Sequence, residues 1–232
     1  LGQFANAMRR GVRMAYIVEN NGVYGLTKGQ FSATADRGSK SKKGAVNHDN
    51  PIDLVGLALQ LGATYVARGF SGDKEQLVPL IKGALGHGGA AFIDVISPCV
   101  AFNNHSGSTK SYDYVRQHNE AVSRIDFMPT RSEITADYQP GELIEVEQHD
   151  GSILRLRKLD EDYDPTKRYA ALNTMHERHE RGEIVTGLLY VDPLALDLHA
   201  GLNTSHQPLN TLGPVDLCPG KSTLQKINAA LR

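Results

Sequence analysis

The run Ala90-Ala91-Phe92-Ile93-Asp94-Val95-Ile96 is apolar at every position but one. A strand without polar alternation has both faces covered, as in a sheet that carries helices on each side. Two further apolar runs, Met14 to Val18 and Thr64 to Ala67, read as strands of the same kind. Helical patterns separate the three. Asn50-Pro51 opens the first, with Asn50 as cap and Pro51 at the first helical position. Ile52, Leu54, Val55, Leu57, Leu59 and Leu61 supply its apolar content, and Gly62 ends it. Ser71 caps the second, which carries Leu77, Val78, Leu80, Ile81 and Leu85. Its Pro79 argues against a straight helix. Strand-helix-strand-helix-strand with such runs predicts an α/β fold built on a parallel sheet.

At the end of the first strand the chain turns polar: Glu19-Asn20-Asn21-Gly22-Val23-Tyr24-Gly25-Leu26-Thr27-Lys28-Gly29-Gln30. That edge of an open α/β sheet is where ligands bind. Asn21 offers a neutral side-chain oxygen, and Val23, two residues on, can offer its backbone carbonyl on the same side. Gly22 between them turns the backbone without steric penalty. Two neutral oxygens at that spacing suit Mg²⁺, which takes hard oxygen ligands and shares them with phosphate. Backbone N–H groups of Gly25 and Leu26 and the hydroxyl of Thr27 suit diphosphate oxygens. Taken alone, Asn-Asn-Gly is also a common surface turn, and Thr27 a common loop cap.

This run resembles the second half of the thiamine diphosphate motif, which begins with Gly-Asp-Gly and ends in Asn-Asn. The stretch Val23 to Gln30 is similar to the β subunits of the 2-oxoacid:ferredoxin oxidoreductases, above all those of the 2-oxoglutarate type. The resemblance implies a partial thiamine diphosphate-binding fold over residues 1–126 and a C-terminal extension over residues 127–232. It implies Asn21 and Val23 as Mg²⁺ ligands, with Gly22, Tyr24, Gly25, Leu26 and Thr27 around the cofactor. Lys28, one residue past Thr27, lies close to the reacting cofactor and would pair with the second carboxylate of 2-oxoglutarate, which pyruvate lacks. The other reading of Lys28 is a diphosphate-neutralising or solvated cation. Ser97-Pro98-Cys99, followed by Phe102-Asn103, resembles the segment that carries the family's distal ligand to a [4Fe–4S] cluster. Such a cluster needs four thiolates, so Cys99 would be one of four. A lone Cys near a strand end is otherwise a small buried hydrophobe.

By the same resemblance the parent enzyme decarboxylates 2-oxoglutarate oxidatively with coenzyme A, giving succinyl-CoA. Its electrons go to ferredoxin, and an α subunit is its partner. A β subunit acting on pyruvate or another 2-oxoacid is the alternative. An inactive structural fragment of such a subunit is the third reading. Leu1 to Gly11 reads as the end of a helix, with Arg9 and Arg10 in its last turn and Gly11 as stop. In the family that helix follows Gly-Asp-Gly-Asp, so the expectation is an N-terminally truncated chain without the Asp ligand to Mg²⁺.

The rest of the chain bounds these readings. A net charge of −1 over 232 residues gives no reason to expect nucleic acid or an anionic membrane as partner. No apolar stretch approaches the ~20 residues of a membrane span. The two cysteines, Cys99 and Cys218, make no disulfide framework, which fits a reducing cytoplasm. Residues 31–49 read as a mobile loop and Tyr112 to Ser123 as a helix. Leu143 to Glu147 and Ser152 to Arg157 read as a hairpin. Asp164-Pro165 opens a charged helix to about Arg181, and Ile184 to Val191 is a further apolar run. Residues 192–221 read as an extended arm, and Ser222 to Leu231 as a terminal helix. His176 and His179 are spaced wrongly for zinc, which wants His at i and i+4 on a helix.

Overall fold

The computed structural model describes residues 1–24, 30–35, 37–38, 46–97, 134–147, 153–205, 207–218 and 220–231. Among them, strands β1 (Met14–Asn20), β4 (Tyr65–Phe70), β5 (Ala90–Ile96), β6 (Leu143–Glu147), β7 (Ile153–Lys158) and β8 (Ile184–Val191) form a six-stranded sheet. Its order is β1-β5-β4-β8-β7-β6. β1, β5 and β4 are mutually parallel, as expected. β8 joins β4 antiparallel, β7 joins β8 parallel, and the β6–β7 hairpin closes the far edge. β2 (Val23–Tyr24) and β3 (Gln30–Phe31) form a separate small antiparallel pair. The result is a mixed, mostly parallel α/β fold.

The pleat sorts the central strands into two faces. Tyr16, Val18, Val66 and Phe92 point to one face, where Phe4 and Met8 of α1 (Gly2–Arg10) meet Val55, Ala58 and Leu59 of α2 (Leu54–Gln60). Ala171 and Met175 of α4 (Arg168–Glu180) complete that core. The Phe4 ring meets Tyr16 and Phe92 edge-on, each at a centroid distance of 5.2 Å. Tyr65, Ala67, Ala91, Ile93 and Val95 point the other way, onto Leu80 and Ala84 of α3 (Lys74–Gly86). Truncating a buried aromatic such as Phe92 in a core like this costs about 3–5 kcal/mol.

Three helix starts differ from the sequence reading. α2 begins at Leu54, not at Asn50-Pro51. The Ile52 N–H is committed to Ala33 O at 2.8 Å, and the Asp53 carboxylate then accepts from Val55 N at 3.1 Å. α3 is capped by Asp73, which accepts from Gln76 N at 3.1 Å, because the Ser71 N–H extends the sheet to Ile96 O. Pro79 is accommodated on the exposed side of α3. Its ring leaves the carbonyl of Glu75, an exposed residue, without a helical donor. Asp164-Pro165 does not open α4. Asp164 accepts from both the N–H and the hydroxyl of Thr166, a local turn, and the helix starts at Arg168. The expected extended arm contains α5 (Leu198–Gly201), a 3₁₀ turn at Leu209–Thr211 and α6 (Pro214–Leu217), before α7 (Lys221–Ala230). The hairpin strands pair as expected, and its turn lies outside the described residues, as do Tyr112 to Ser123.

Two polar ties hold the hairpin side to the centre. Ala136 N donates to Gly72 O at 3.0 Å, laying residues 134–138 over the loop between β4 and α3. Tyr138 Oη meets Thr186 Oγ1 at 2.6 Å in the buried interior, and Lys158 stands 4.4 Å from the Tyr138 ring centroid and 2.8 Å from the Asp73 carboxylate. Burial pushes the Tyr138 hydroxyl up to about 12. Glu183, also buried, accepts from Arg157 at 2.7 Å and lies 3.4 Å from Arg178.

Gly72 is buried, and a Cβ there would overlap the Ile134 carbonyl oxygen and the Phe70 ring. Gly72→Ala should therefore destabilise the protein by about 3 kcal/mol, read as a lowered denaturation midpoint. An unchanged midpoint would show that residues 134–138 do not rest on this loop. Glu183 gives a pH signature. Burial works to raise its pKa, but the Arg157 hydrogen bond and the Arg157 and Arg178 charges outweigh it and hold it below the ordinary 4.5. A depressed native pKa adds stability above the unfolded value, lost as pH falls through the native one. Glu183→Gln should be less stable than the parent at neutral pH, with the gap closing below pH 4.5. Parallel stability curves across that window would exclude this contribution.

Candidate functional site

Because β1, β5 and β4 are parallel, Asn20, Ile96 and Phe70 end at one edge of the sheet. The loop leaving β1 turns sharply there. Gly22 sits at φ +66°, in the left-handed region that favours glycine. Asn21 Oδ1 accepts from Val23 N at 3.0 Å, so the side chain caps its own turn. An amide oxygen has a second lone pair, which this contact leaves for a cation. Ser32 N donates to Gly22 O at 3.2 Å, and Tyr24 pairs with Gln30. Bonded and non-bonded positions alternate in an antiparallel pair, so Val23 falls on the non-bonded one. Its carbonyl therefore faces away from β3. Asn21 and Val23 thus present neutral oxygens on one exposed turn.

Behind the turn lies a polar chain. Thr34 Oγ1 donates to Asn20 Oδ1 at 2.7 Å and meets Ser32 Oγ at 2.9 Å. Asn20 Nδ2 donates to Asp94 Oδ1 at 3.2 Å. Arg68 Nε donates to Asp94 Oδ2 at 2.9 Å, and the same guanidinium reaches Asp53 at 3.3 Å. Asp94 is 1% exposed. These residues were not singled out from the sequence as site residues. One signal was there: a carboxylate inside the apolar run Ala90 to Ile96 must find a buried partner.

Of the predicted site residues, Asn21, Gly22, Val23 and Tyr24 are brought to the strand edge. Gly25, Leu26, Thr27 and Lys28 lie outside the described residues, and so does Cys99. The chain leading to Cys99 departs beside the turn, since Ser97 N donates to Asn20 O at 2.9 Å. Lys40 to Lys43, Asn103, Asn104 and His105 are likewise outside, whereas His48 and Asp49 are exposed. Within the loop read as residues 31–49, Asn47 is buried and donates to Ala35 O at 2.9 Å, and its own carbonyl accepts from Gly38 N at 2.8 Å. Cys218 is exposed in the C-terminal arm. His176 and His179 lie on the exposed side of α4, His176 3.4 Å from Glu180. Among the described residues no three His, Cys, Asp or Glu side chains converge on a metal position. No helix among the described residues is long and apolar enough to cross a membrane.

Comparison with known proteins assigns the same region. Residues 1–95 match the family described as thiamine pyrophosphate enzyme, C-terminal TPP binding domain. A 2-oxoacid:ferredoxin oxidoreductase subunit beta from Saccharolobus solfataricus is 42% identical over 133 residues, 56% of this chain and 41% of that one. The 2-oxoglutarate oxidoreductase subunit KorB of Mycobacterium tuberculosis is 36% identical over 102 residues, 44% of this chain and 27% of that one. The chain thus spans less than half the length of these curated relatives. A solved 2-oxoglutarate:ferredoxin oxidoreductase from Magnetococcus marinus, with 2-oxoglutarate, coenzyme A and succinyl-CoA bound, superposes with a TM-score of 0.59 at 25% identity. That match covers 94% of this chain and 62% of the other. By sequence the chain is similar to β subunits of 2-oxoacid:ferredoxin oxidoreductases, and by fold to a solved 2-oxoglutarate:ferredoxin oxidoreductase.

Proposed function

We propose that this chain is part of the β subunit of a 2-oxoglutarate:ferredoxin oxidoreductase and contributes one wall of its Mg²⁺–thiamine diphosphate site. The observation that carries the reading is the Asn21–Gly22–Val23 turn at the carboxyl edge of the parallel strands, inside the segment matched by the thiamine pyrophosphate family. The donor set fits the group: neutral, hard oxygens on an exposed turn, suited to a cation that also takes phosphate oxygens.

In this reading Asn21 Oδ1 and the Val23 carbonyl hold Mg²⁺, while Gly22 gives the backbone the turn that aims both. Tyr24, Gly25, Leu26 and Thr27 line the cofactor, the last three donating to its phosphates. Lys28 pairs with the distal carboxylate of the substrate. Cys99 is one ligand of a [4Fe–4S] cluster. When bound, thiamine diphosphate supplies the carbanion-stabilising chemistry that lets a 2-oxoacid lose CO₂, and the protein positions it. The assembled enzyme then works with an α subunit, coenzyme A and ferredoxin in the cytoplasm. The KorB name of one relative and the 2-oxoglutarate in the solved structure support this substrate over pyruvate.

The test follows coenzyme-A-dependent viologen reduction by the β subunit assembled with its α partner, with 2-oxoglutarate or pyruvate, and with or without thiamine diphosphate. Cofactor-dependent turnover of 2-oxoglutarate is expected. Turnover of pyruvate alone would keep the family and remove the substrate assignment. Lys28→Ala should lower kcat/KM for 2-oxoglutarate by roughly 30- to 100-fold, about 2–3 kcal/mol, and spare any pyruvate turnover. Equal loss on both substrates would assign Lys28 to the diphosphate instead. Asn21→Ala should raise the Mg²⁺ concentration for half-activation by roughly tenfold or more, about 1.4 kcal/mol. An unchanged Mg²⁺ requirement would sink its role as ligand.

A further inference from the structure

The polar chain behind the turn has a direction, and its buried end sets it. A carboxylate has acceptors only. Asp94 Oδ1 faces the Asn20 side-chain amide at 3.2 Å, so the amide must turn its NH₂ inward. Reversing the Asn20 amide would set two oxygens against each other at that distance. With the NH₂ inward, Asn20 Oδ1 faces outward and takes the Thr34 hydroxyl at 2.7 Å. Thr34, having given its proton to Asn20, accepts from Ser32 Oγ at 2.9 Å. The chain therefore runs one way, Ser32 to Thr34 to Asn20 to Asp94. Ser32 is also the residue whose N–H holds Gly22 O. Both flanks of the turn, Asn20 before it and Ser32 after it, are tied to one buried charge.

We propose that Asp94 is a positioning residue for the cofactor turn: its carboxylate, fixed by Arg68, polarises the Asn20–Thr34–Ser32 chain and holds the Asn21–Gly22–Val23 oxygens in the arrangement that binds Mg²⁺–thiamine diphosphate. The proposal rests on the cofactor reading above. Asp94 touches neither the cation nor the substrate in this role. Its effect belongs in cofactor affinity, not in the chemical step. Arg68 supplies the charge that keeps Asp94 in place, and Met175 Sδ, 3.9 Å from its Nη1, closes the pocket on the α4 side.

The decisive variant is Thr34→Val, which keeps the shape of the side chain and removes the hydroxyl at the middle of the chain. Thr34→Ser is its conservative rescue, and Asp94→Asn cuts the chain at its source. Each would be made in the β subunit assembled with its partner. The readouts are the dissociation constant for Mg²⁺–thiamine diphosphate by calorimetry, the KM for the cofactor against kcat at saturation, and the melting temperature without cofactor. Thr34→Val should weaken cofactor binding by roughly tenfold, the low end of the loss seen when a group supporting the ligands is removed. The loss should sit in the dissociation constant and the cofactor KM, and Thr34→Ser should restore both. Asp94→Asn should weaken binding at least as much; if it does not fold, Thr34→Val decides alone. Wild-type affinity in Thr34→Val, or a fall in kcat with affinity unchanged, would overturn the proposal and leave the cofactor reading standing. A parent enzyme that binds no Mg²⁺–thiamine diphosphate would overturn both.

Discussion

The ion pair between Asp94 and Arg68 sits where the fold and the site meet. Asp94 lies on β5, buried at every residue but the last, and Arg68 faces it from β4 in register. Stripping a carboxylate of water costs several kcal/mol, returned only by close pairing and filled hydrogen bonds. Here both carboxylate oxygens are engaged, one by the guanidinium and one by Asn20. A well-packed apolar pair in the same place would stabilise the sheet as well or better. The charge is therefore poorly explained by stability. It is better explained by what it orients, since an apolar residue at position 94 would leave the Asn20 amide free to face either way.

The same logic links the two halves of the sheet. β4 is shared: it pairs parallel to β5 on one side and antiparallel to β8 on the other. Arg68 lies on that shared strand and reaches Asp53, the cap of α2, at 3.3 Å. On the hairpin side, Asp73 caps α3 and receives Lys158 from β7. The starts of α2 and α3 are thus each held by a carboxylate that also receives a cation from the sheet. This couples helix position to strand position, so the loops that leave the edge start from fixed points.

Much of this was legible in the sequence, and the exceptions share a cause. The central strands were readable because burial on both faces leaves apolar runs, as in Ala90 to Ile96, while Ile184 to Val191 was legible as an apolar run and proves to be β8. The turn at Asn21 was readable because Asn-Gly at a strand end has a specific backbone use. The helix starts were misplaced at Asn50 and Ser71 because each has a good cap residue a few positions later, Asp53 and Asp73. Which of two candidates caps a helix depends on where neighbouring N–H groups go. The Ile52 and Ser71 amides are claimed by Ala33 O and Ile96 O, contacts between residues distant in sequence. The polar chain was missed for the same reason. Asn20 and Asp94 are 74 positions apart, and only the β1–β5 register brings them together.

That register also bears on how an anion is received at this edge. In many nucleotide sites a diphosphate rests on a helix N-terminus, drawn by free N–H groups and the helix dipole. Here α2 and α3 both begin at the carboxyl edge, but their first turns already hold Asp53 and Asp73. A second anion at either start would meet a carboxylate at close range, where like charges repel strongly once partly desolvated. The Asn21 turn is not capped by a carboxylate, and Asp94 behind Asn20 is buried and paired with Arg68. The carboxylates at the starts of α2 and α3 close those two sites to anions and leave the Asn21 turn to a cation and the phosphates it carries.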